Sequence, residues 1–463
     1  MNGTGRSVAG LPRRVAVIYG GLFVAALVLY IGLWRNAQVV DGDTAQYQAV
    51  AADLLDGHLD VLHDRTIGYP LLLVLTGSAH HATLSLLVVS LLMHLASVWL
   101  LAVTLRKAGV GPGWLIAFGA LLVLPPFVEP AAWLMTENLA QFVLVVALAC
   151  LVHGFATTRV ALLLASGLAF GYAALTRPAY QAVAVVLSAG LLLLPVTIRS
   201  ANFAFRDAVK AAGLVVAGSA LVVGSMAYVN YARFQYFGLV PSIGFHLTTK
   251  TWTFFEQLPD EYATVRDAFV ARRNIEVQRR GSTPTQVIWN AKKDLLAATG
   301  LTGPQLSRYL LKANLVLIRK APIAYLQEVA RSLALYWFPQ ANLLASMGSS
   351  TLRLIWAALQ AAIVAFFFLQ AMVLGSVVAF DASRRRCGGR ARTFVSAIQA
   401  TAPQVLAYLL AIGIVFYTML LSCFLDIGEP RQRRPTELLI VFVCVLGAHL
   451  WRQSAAQVPP ERV

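Results

Sequence analysis

Long apolar runs separated by short polar segments make up most of the chain. A helix needs about 20 predominantly apolar residues to cross a bilayer. Runs near or above that length cover residues 15–34, 83–105, 114–128, 138–155, 160–176, 178–196, 211–230, 354–380, 403–425 and 438–451. The run 114–128 is short and ends at Pro125-Pro126, and the last run could begin at Pro435. This pattern predicts an all-α polytopic membrane protein with about 10 transmembrane helices, within a range of 10–12.

One long segment, 231–350, is too polar to span and is predicted to lie outside the membrane as a helical region. Amphipathic patterns occur in it at about 262–278, 284–298 and 304–319. The later stretch 331–347 is more apolar but is interrupted by Pro339. It is predicted to be a juxtamembrane helix on the outer surface and not a span.

These patterns divide the chain into three parts. Residues 1–230 form an N-terminal transmembrane module, residues 231–350 the outer helical region, and residues 351–463 a C-terminal transmembrane module. The first module carries the outside loops that are candidates for catalysis, which are 35–82, 125–138 and 176–178.

The distribution of Lys and Arg predicts the orientation. With the N-terminus inside, the inside segments hold 16 basic residues against three acidic ones, whereas the first outside loop, 35–69, holds two against six. The positive-inside rule therefore places both termini in the cytoplasm. The first span lacks a clear small-residue cleavage site and is predicted to be an uncleaved anchor.

Composition removes several classes of protein. The chain is 58% hydrophobic and 13% charged, whereas soluble domains carry about 25% charged residues, so a cytosolic globular enzyme and a disordered chain are excluded. The net charge of +16 is largely explained by topology, and a nucleic-acid partner is not required. The four cysteines are isolated from one another, which is neither a disulfide framework nor a zinc site.

The first outside loop is unusually acidic, with six aspartates in residues 35–69. Asp43 and Gln46 have the spacing of a helix capping box, which predicts a short helix on the outer surface with Asp43 at its N-terminus. Asp43 could serve only as that cap. Alternatively, Asp41 or Asp43 is a catalytic carboxylate close to the interface.

Other charged residues stand in short outside turns. Glu137 begins a predicted helix, where the dipole favours a carboxylate, and Arg177 lies alone between two spans. Arg431, Arg433 and Arg434 run against the positive-inside rule. A bound phosphate explains these arginines, and contact with lipid headgroups is the alternative.

Five short motifs follow one another along residues 41–435. They are Asp43-Thr-Ala-Gln-Tyr47, Arg65-Thr-Ile-Gly-Tyr69-Pro70, Thr136-Glu137-Asn-Leu139, Ala174-Leu-Thr-Arg177-Pro178 and Arg431-Gln-Arg433-Arg434-Pro435. In their order and sidedness they resemble the GT-C superfamily of integral membrane glycosyltransferases, in particular the bacterial branch of lipid A aminoarabinose transferases and protein mannosyltransferases. The C-terminal third matches least. In size the chain is similar to pilin arabinosyltransferases of Gram-negative bacteria.

The resemblance implies an inverting glycosyltransferase in a bacterial inner (plasma) membrane, which uses a polyprenyl-phosphate-linked sugar and a lipid, glycan or protein acceptor on the outer, periplasmic face. Asp43, or Asp41, would be the general base, and Glu137 would orient the acceptor or stabilise the positive sugar ring. The donor phosphate would be bound by Arg177, Arg431, Arg433 and Arg434. The substrate-binding residues would be Tyr47, His63, Arg65 and Tyr69.

No cofactor is required by this mechanism. A divalent metal among the carboxylates is conceivable, but the arginines make it unnecessary, and no metal ligands are assigned. The alternative function is a lipid-linked sugar flippase or other polytopic transporter, since intramembrane charges suit that class as well. A transporter should place its polar groups near the bilayer midplane, whereas here they lie in outside loops.

Overall fold

The computed structural model describes residues 10–36, 43–58, 65–198, 204–280, 283–338, 350–386 and 402–456. Within these ranges the chain forms α-helices and short 3-10 turns and contains no β-strand. The predicted all-α class is confirmed.

The N-terminal half alternates long apolar helices with short ones. Its helices are α1 (Arg13–Trp34), α2 (Thr44–Leu55), α3 (Gly68–Leu75), α4 (Leu84–Lys107), α5 (Pro112–Leu122), α6 (Pro125–Val128), α7 (Glu137–Thr157), α8 (Val160–Thr176), α9 (Val183–Ile198) and α10 (Phe205–Phe234). The later helices are α11 (Ile243–Thr251), α12 (Ala263–Arg280), α13 (Pro284–Thr299), α14 (Gly303–Lys320), α15 (Pro322–Trp337), α16 (Ser350–Arg386), α17 (Ala402–Leu425), α18 (Pro430–Arg433) and α19 (Glu437–Ala456).

Each of the predicted spans corresponds to a helix or to a pair of helices. Among the described residues, eight helices are long and apolar enough to cross a membrane, and α5 with the turn after it adds a ninth span if the bent pair counts as one. Helix α8, with 17 residues, is apolar but shorter. The chain is therefore a polytopic membrane protein.

The break between α5 and α6 follows from Pro125-Pro126. The axis bends by 67° there, because a proline has no N–H to donate to the preceding turn. The carbonyl of Leu122 instead accepts a hydrogen bond from Nε2 of the fully buried His94, at 2.9 Å, and that of Val123 accepts one from Tyr30 Oη at 2.7 Å. His94 is thus a packed, hydrogen-bonding residue of the span.

The outer helical region has its own apolar core. Helices α11 to α14 meet around a cluster of buried side chains that includes Phe245, Phe255 and Phe269. In α14 the apolar positions recur every three or four residues, so one face is buried and the other carries charge. The buried face consists of Leu306, Leu310, Ala313 and Leu317.

Helix α15 joins this region to the membrane helices. Its last turn packs Trp337 against Phe367 and Phe368 of α16 and, with Tyr336, against the end of α17. Of the predicted surface helix over 331–347, residues 331–337 belong to α15, and residues 339–349 lie outside the described ranges.

Candidate active site

Asp43 lies at the N-cap of α2, as the sequence predicts, but its side chain does not cap the helix. The predicted capping box is therefore not formed. The two carboxylate oxygens instead accept hydrogen bonds from two arginines, Oδ1 from Arg65 Nη2 and Oδ2 from Arg431 Nη2 at 3.0 Å. The side chain is 24% exposed. Both oxygens are therefore engaged in charge-assisted hydrogen bonds with guanidinium groups and not with the backbone of α2.

Glu137 is the first residue of α7 and is almost completely buried, with 1% of its side chain exposed. Its Oε1 accepts a hydrogen bond from Arg177 Nη1 at 2.8 Å and lies 3.5 Å from Arg431 Nε. Oε2 is also buried and accepts no hydrogen bond from any described residue. A buried carboxylate needs partners for both oxygens, so Oε2 is available to a ligand.

Arg431 connects the two carboxylates. It stands in α18, a single helical turn that begins at Pro430, and reaches both Asp43 and Glu137. We call the resulting group the carboxylate–arginine cluster, and its members are Asp43, Arg65, Glu137, Arg177 and Arg431. Five separate segments of the chain contribute to it, and its three arginines and two carboxylates have a formal charge of +1.

Close backbone packing brings the start of α3 against the end of α8, just before Arg177. A Cβ on Gly68 would lie 2.5 Å from the Leu175 carbonyl carbon, so only glycine lets the start of α3 approach the end of α8. The Gly68 carbonyl also accepts a hydrogen bond from Tyr172 Oη at 2.9 Å. Arg177, directly after α8, then donates to Thr136 Oγ1 at 3.2 Å as well as to Glu137.

Two tyrosines border the cluster on the side of Arg65. The Arg65 guanidinium lies 5.1 Å from the Tyr47 ring centre, and Tyr47 packs edge-on against Tyr69 with ring centres 5.3 Å apart. The buried Tyr69 hydroxyl has no hydrogen-bond partner among the described residues. Burial, and then the charge of Glu137, raise the pKa of Tyr69 well above its ordinary value. Tyr69 therefore remains a hydrogen-bond donor.

Arg433 and Arg434 do not join the cluster, although the sequence groups them with Arg431. They form a second group, the buried arginine network, with Glu129 and Glu437. Arg434 Nη1 donates to Glu437 Oε2 at 2.9 Å and Nη2 donates to Glu129 Oε2 at 3.3 Å, while Arg433 Nε donates to Glu437 Oε1 at 3.3 Å. Their side chains are 0% and 1% exposed. Both guanidinium groups are thus paired with carboxylates of the chain, and their predicted contact with phosphate stays a prediction.

Asp41 and His63, the other two predicted site residues, lie outside the described ranges. The sequence reasoning did not single out Glu437 or the role of Glu129. Glu437 follows Arg433 and Arg434 by four and three residues at the start of α19, which is the spacing of helical ion pairs. Within the described ranges, no group of three or more His, Cys, Asp and Glu side chains is arranged to hold a metal ion.

No protein-family model and no curated protein sequence matches this chain. Among solved structures, it is similar to the archaeal oligosaccharyltransferase AglB from Archaeoglobus fulgidus, in complex with an inhibitory peptide and a dolichol-phosphate. That match has a TM-score of 0.51 at 13% sequence identity and covers 98% of this chain and 53% of AglB. The chain thus spans about half the length of AglB.

A second similar structure is ArnT from Cupriavidus metallidurans bound to undecaprenyl phosphate. It has a TM-score of 0.40 at 15% identity, with 96% of this chain and 82% of ArnT covered. Both proteins are membrane glycosyltransferases of the GT-C superfamily. From the AglB match, the chain has the fold of the GT-C superfamily of integral membrane glycosyltransferases, the superfamily that its sequence motifs resemble.

Proposed function

We propose that this protein is an inverting membrane glycosyltransferase, which moves a sugar from a polyprenyl-phosphate donor to an acceptor on the outer face of a bacterial inner membrane. The observation that carries the proposal is the carboxylate–arginine cluster, where two carboxylates of different burial share three arginines. The fold supports it, since AglB, with which the chain shares its fold, is an oligosaccharyltransferase in complex with a dolichol-phosphate.

Arg177 and Arg431 are the groups that fit the donor phosphate. A guanidinium binds phosphate oxygens in a bidentate manner and stays charged at any relevant pH. The surplus positive charge of the cluster suits an anion. As the bond between the sugar and the phosphate breaks, negative charge grows on the phosphate, and arginines already held in place stabilise it.

Binding of the phosphate would also release Asp43. Arg431 Nη2 bonds to Asp43 Oδ2 at 3.0 Å, and a phosphate competes for the same guanidinium. Asp43 then loses one of its two arginines and becomes a better proton acceptor. In this way donor binding prepares the base before the acceptor reacts.

The acceptor hydroxyl attacks the anomeric carbon from the face opposite the phosphate. Asp43 takes the hydroxyl proton as general base, a new bond joins the acceptor oxygen to the anomeric carbon, and the polyprenyl phosphate leaves with the electrons of the broken bond. Asp43 suits this role better than Glu137, because it is 24% exposed and Glu137 only 1%.

Glu137 would act on the sugar and not on the acceptor proton. Its Oε2 is buried and available, so it can accept a hydrogen bond from a sugar hydroxyl or face the positive ring of an oxocarbenium-like transition state. Tyr47, Arg65 and Tyr69 would complete the substrate contacts on the other side. The mechanism requires no metal. The identity of the transferred sugar, for which arabinose is one candidate, is determined by direct assay.

The experiment is transfer by purified protein in lipid nanodiscs. Undecaprenyl phosphate esters of arabinose, mannose and glucose are supplied with envelope material from a strain that lacks the protein. We expect release of undecaprenyl phosphate together with incorporation of the sugar, and loss of both with Asp43→Asn. A transporter would move the intact donor across the bilayer without breaking the sugar–phosphate bond, and that result would replace the proposal by the flippase.

A further inference from the structure

A second cluster of ionisable groups lies between the outer helical region and the membrane helices. Its ionisable members are His246 and Lys250 on α11 and Asp426 directly after α17, and Gln432 on α18 is hydrogen-bonded to Asp426. We propose that Asp426 is a positioning residue: paired with His246, it fixes the α18 turn through Gln432 and so sets the place of the Arg431 guanidinium. We call this group the Asp426 latch, and its role in donor binding rests on the proposed function.

The contacts of Asp426 close the loop before α18. Oδ2 accepts a hydrogen bond from Gln432 Nε2 at 2.8 Å and lies 3.2 Å from His246 Nδ1, while Oδ1 accepts one from the Ile427 backbone N–H at 2.8 Å. Burial would raise the pKa of Asp426, but His246, the Ile427 N–H and Lys250 together lower it below its ordinary value. The carboxylate is therefore charged while it holds the loop.

Lys250 supplies a buried cation to the same group. Its side chain is 1% exposed, and Nζ donates a hydrogen bond to Ser332 Oγ of α15. Burial lowers the pKa of Lys250 to about 8, although Asp426, Cys423 of α17 and Glu328 of α15 oppose the shift. The lysine is thus charged at neutral pH and loses its charge as the pH rises through about 8.

The backbone of the loop is equally constrained. Gly428 has φ +69°, a conformation that favours glycine, and a Cβ there would lie 2.6 Å from the Ser332 carbonyl oxygen. The loop therefore lies against α15 with no room for a side chain. Helix α11, helix α15 and the end of α17 all meet at these few residues.

This arrangement holds α18 from both sides. Arg433, at its C-terminal end, is tied to Glu437, and Gln432 is tied to Asp426. Arg431 lies directly before these two residues and reaches Asp43 and Glu137. A catalytic or binding group displaced by about 1 Å can lose a hundredfold in rate, so the latch determines whether Arg431 reaches the phosphate.

The latch also joins the outer helical region to the site. His246 and Lys250 lie on α11, whose other contacts include Ser307 and Asn314 of α14. A movement of α11 relative to α17 would change the Asp426–Gln432 contact and hence the place of Arg431. The outer helical region is thereby coupled to donor binding.

The test compares Asp426→Asn with Asp294→Asn, an exposed outer-region carboxylate whose partner Arg272 is 3.6 Å away. Undecaprenyl phosphate is titrated into each protein in nanodiscs. We expect Asp426→Asn to weaken binding about tenfold or more and Asp294→Asn to leave it unchanged. Equal affinities of the wild-type and Asp426→Asn proteins would overturn the proposal.

The pH dependence separates positioning from a loss of structure. In the wild type, donor affinity should fall as the pH rises through about 8, because Lys250 loses its charge. Lys250→Arg keeps a cation that does not titrate in this range, so the fall should move to higher pH. If Asp426 and Lys250 only stabilised the fold, Asp426→Asn and Lys250→Arg would both lower the donor affinity, and the fall in affinity would stay at about pH 8.

A third measurement works even if no donor binds. Arg431→Cys is introduced into a protein whose four native cysteines are replaced by alanine, and its reaction rate with a water-soluble thiol reagent is recorded. Adding Asp426→Asn should raise that rate severalfold, since α18 is then held only through Arg433 and Glu437. An unchanged rate contradicts the Asp426 latch. A raised rate supports the latch even if the wild-type protein does not bind undecaprenyl phosphate, and that absence of binding would contradict only the proposed donor.

Discussion

The carboxylate–arginine cluster and the buried arginine network use the same kinds of residue but differ in two respects. The cluster has three arginines for two carboxylates and is reached by solvent at Asp43, which is 24% exposed. The network has two arginines for two carboxylates, Glu129 and Glu437, and Arg434 is 0% exposed. The charges of the network balance one another and are closed to solvent, whereas the cluster has surplus positive charge at an open edge, which suits an anion.

Arg431 and Arg433 are close together in the chain but belong to different groups, the cluster and the network. Both stand in α18, two positions apart, so their side chains leave the turn in different directions. Arg431 reaches Asp43 and Glu137, whereas Arg433 reaches Glu437 and the carbonyls of Tyr336 and Phe338. One short turn therefore directs Arg431 into the carboxylate–arginine cluster and Arg433 into the buried arginine network.

The largest expected effect is on catalysis by the cluster. Asp43→Asn removes the proposed general base while the amide can still bond to Arg65, so transfer should fall by about 10²–10⁴-fold. The melting temperature in detergent should change little, because Asp43 is partly exposed. Transfer is followed as sugar incorporation at saturating donor.

Asp56→Asn is the matched control, since Asp56 is exposed at the other end of α2, and it should behave as the wild type. Normal transfer by Asp43→Asn would exclude Asp43 as the general base and leave Asp41 as the candidate.

The next largest expected effect is on the stability of the folded protein, through the buried arginine network. Arg434 is hydrogen-bonded to both Glu129 and Glu437, and Arg434→Met removes both bonds. Breaking a buried ion pair by removing one partner lowers the free energy of unfolding by about 3–5 kcal/mol. We expect most of the folded protein to be lost, measured as the monodisperse fraction after extraction and as the melting temperature.

Arg319→Met, at an exposed position of α14, controls for the loss of an arginine as such. If Arg434→Met folded normally but failed to bind undecaprenyl phosphate, Arg434 would be a phosphate ligand as the sequence predicts. The buried arginine network would then take part in donor binding, like the carboxylate–arginine cluster.

A smaller effect concerns Lys250, a buried cation with weaker pairing than the arginines of the network. Its pKa is about 8 in the folded protein and about 10.4 in an unfolded chain. Between these values the unfolded state binds more protons, so stability should rise with pH. Relative to Lys250→Met, the wild type should gain on the order of 2 kcal/mol between pH 8 and about 10.

The measurement is the difference between the melting curves of the two proteins across that range. A difference that stays constant with pH would show that the pKa of Lys250 is not lowered by burial.

The smallest effect sharpens the contrast between Arg431 and Arg433. Arg431→Lys keeps the charge but loses the planar fork, so the affinity for undecaprenyl phosphate should fall about tenfold, which corresponds to about 1.4 kcal/mol. Arg433→Lys should lower the melting temperature and leave the affinity of the folded fraction unchanged. The reverse result would exchange the roles of the two residues.

Much of the fold could be predicted from local pattern. The spans follow from apolar runs, the start of α7 at Glu137 from an acid before such a run, and the bend after α5 from Pro125-Pro126. These features depend on residues close together in the chain, and so the sequence contains the information directly.

The candidate site was predicted less completely. Asp43, Glu137, Arg177 and Arg431 are named by the sequence, and the structure brings them together. The capping role of Asp43 was not confirmed, because Arg65 and Arg431 compete for its oxygens. Arg433 and Arg434 could not be told apart from Arg431, because their partners Glu129 and Glu437 belong to other segments or to the next helix.

The sequence by itself determined which segments are apolar enough to span, which loops carry charge, and which kinds of side chain stand at the ends of the helices. Only the tertiary structure decided which carboxylate meets which arginine. Asp43 and Arg431 are 388 residues apart, and no local rule pairs them. Bringing charges out of water is favourable only where partners complete them, and the position of those partners is set by how the helices pack.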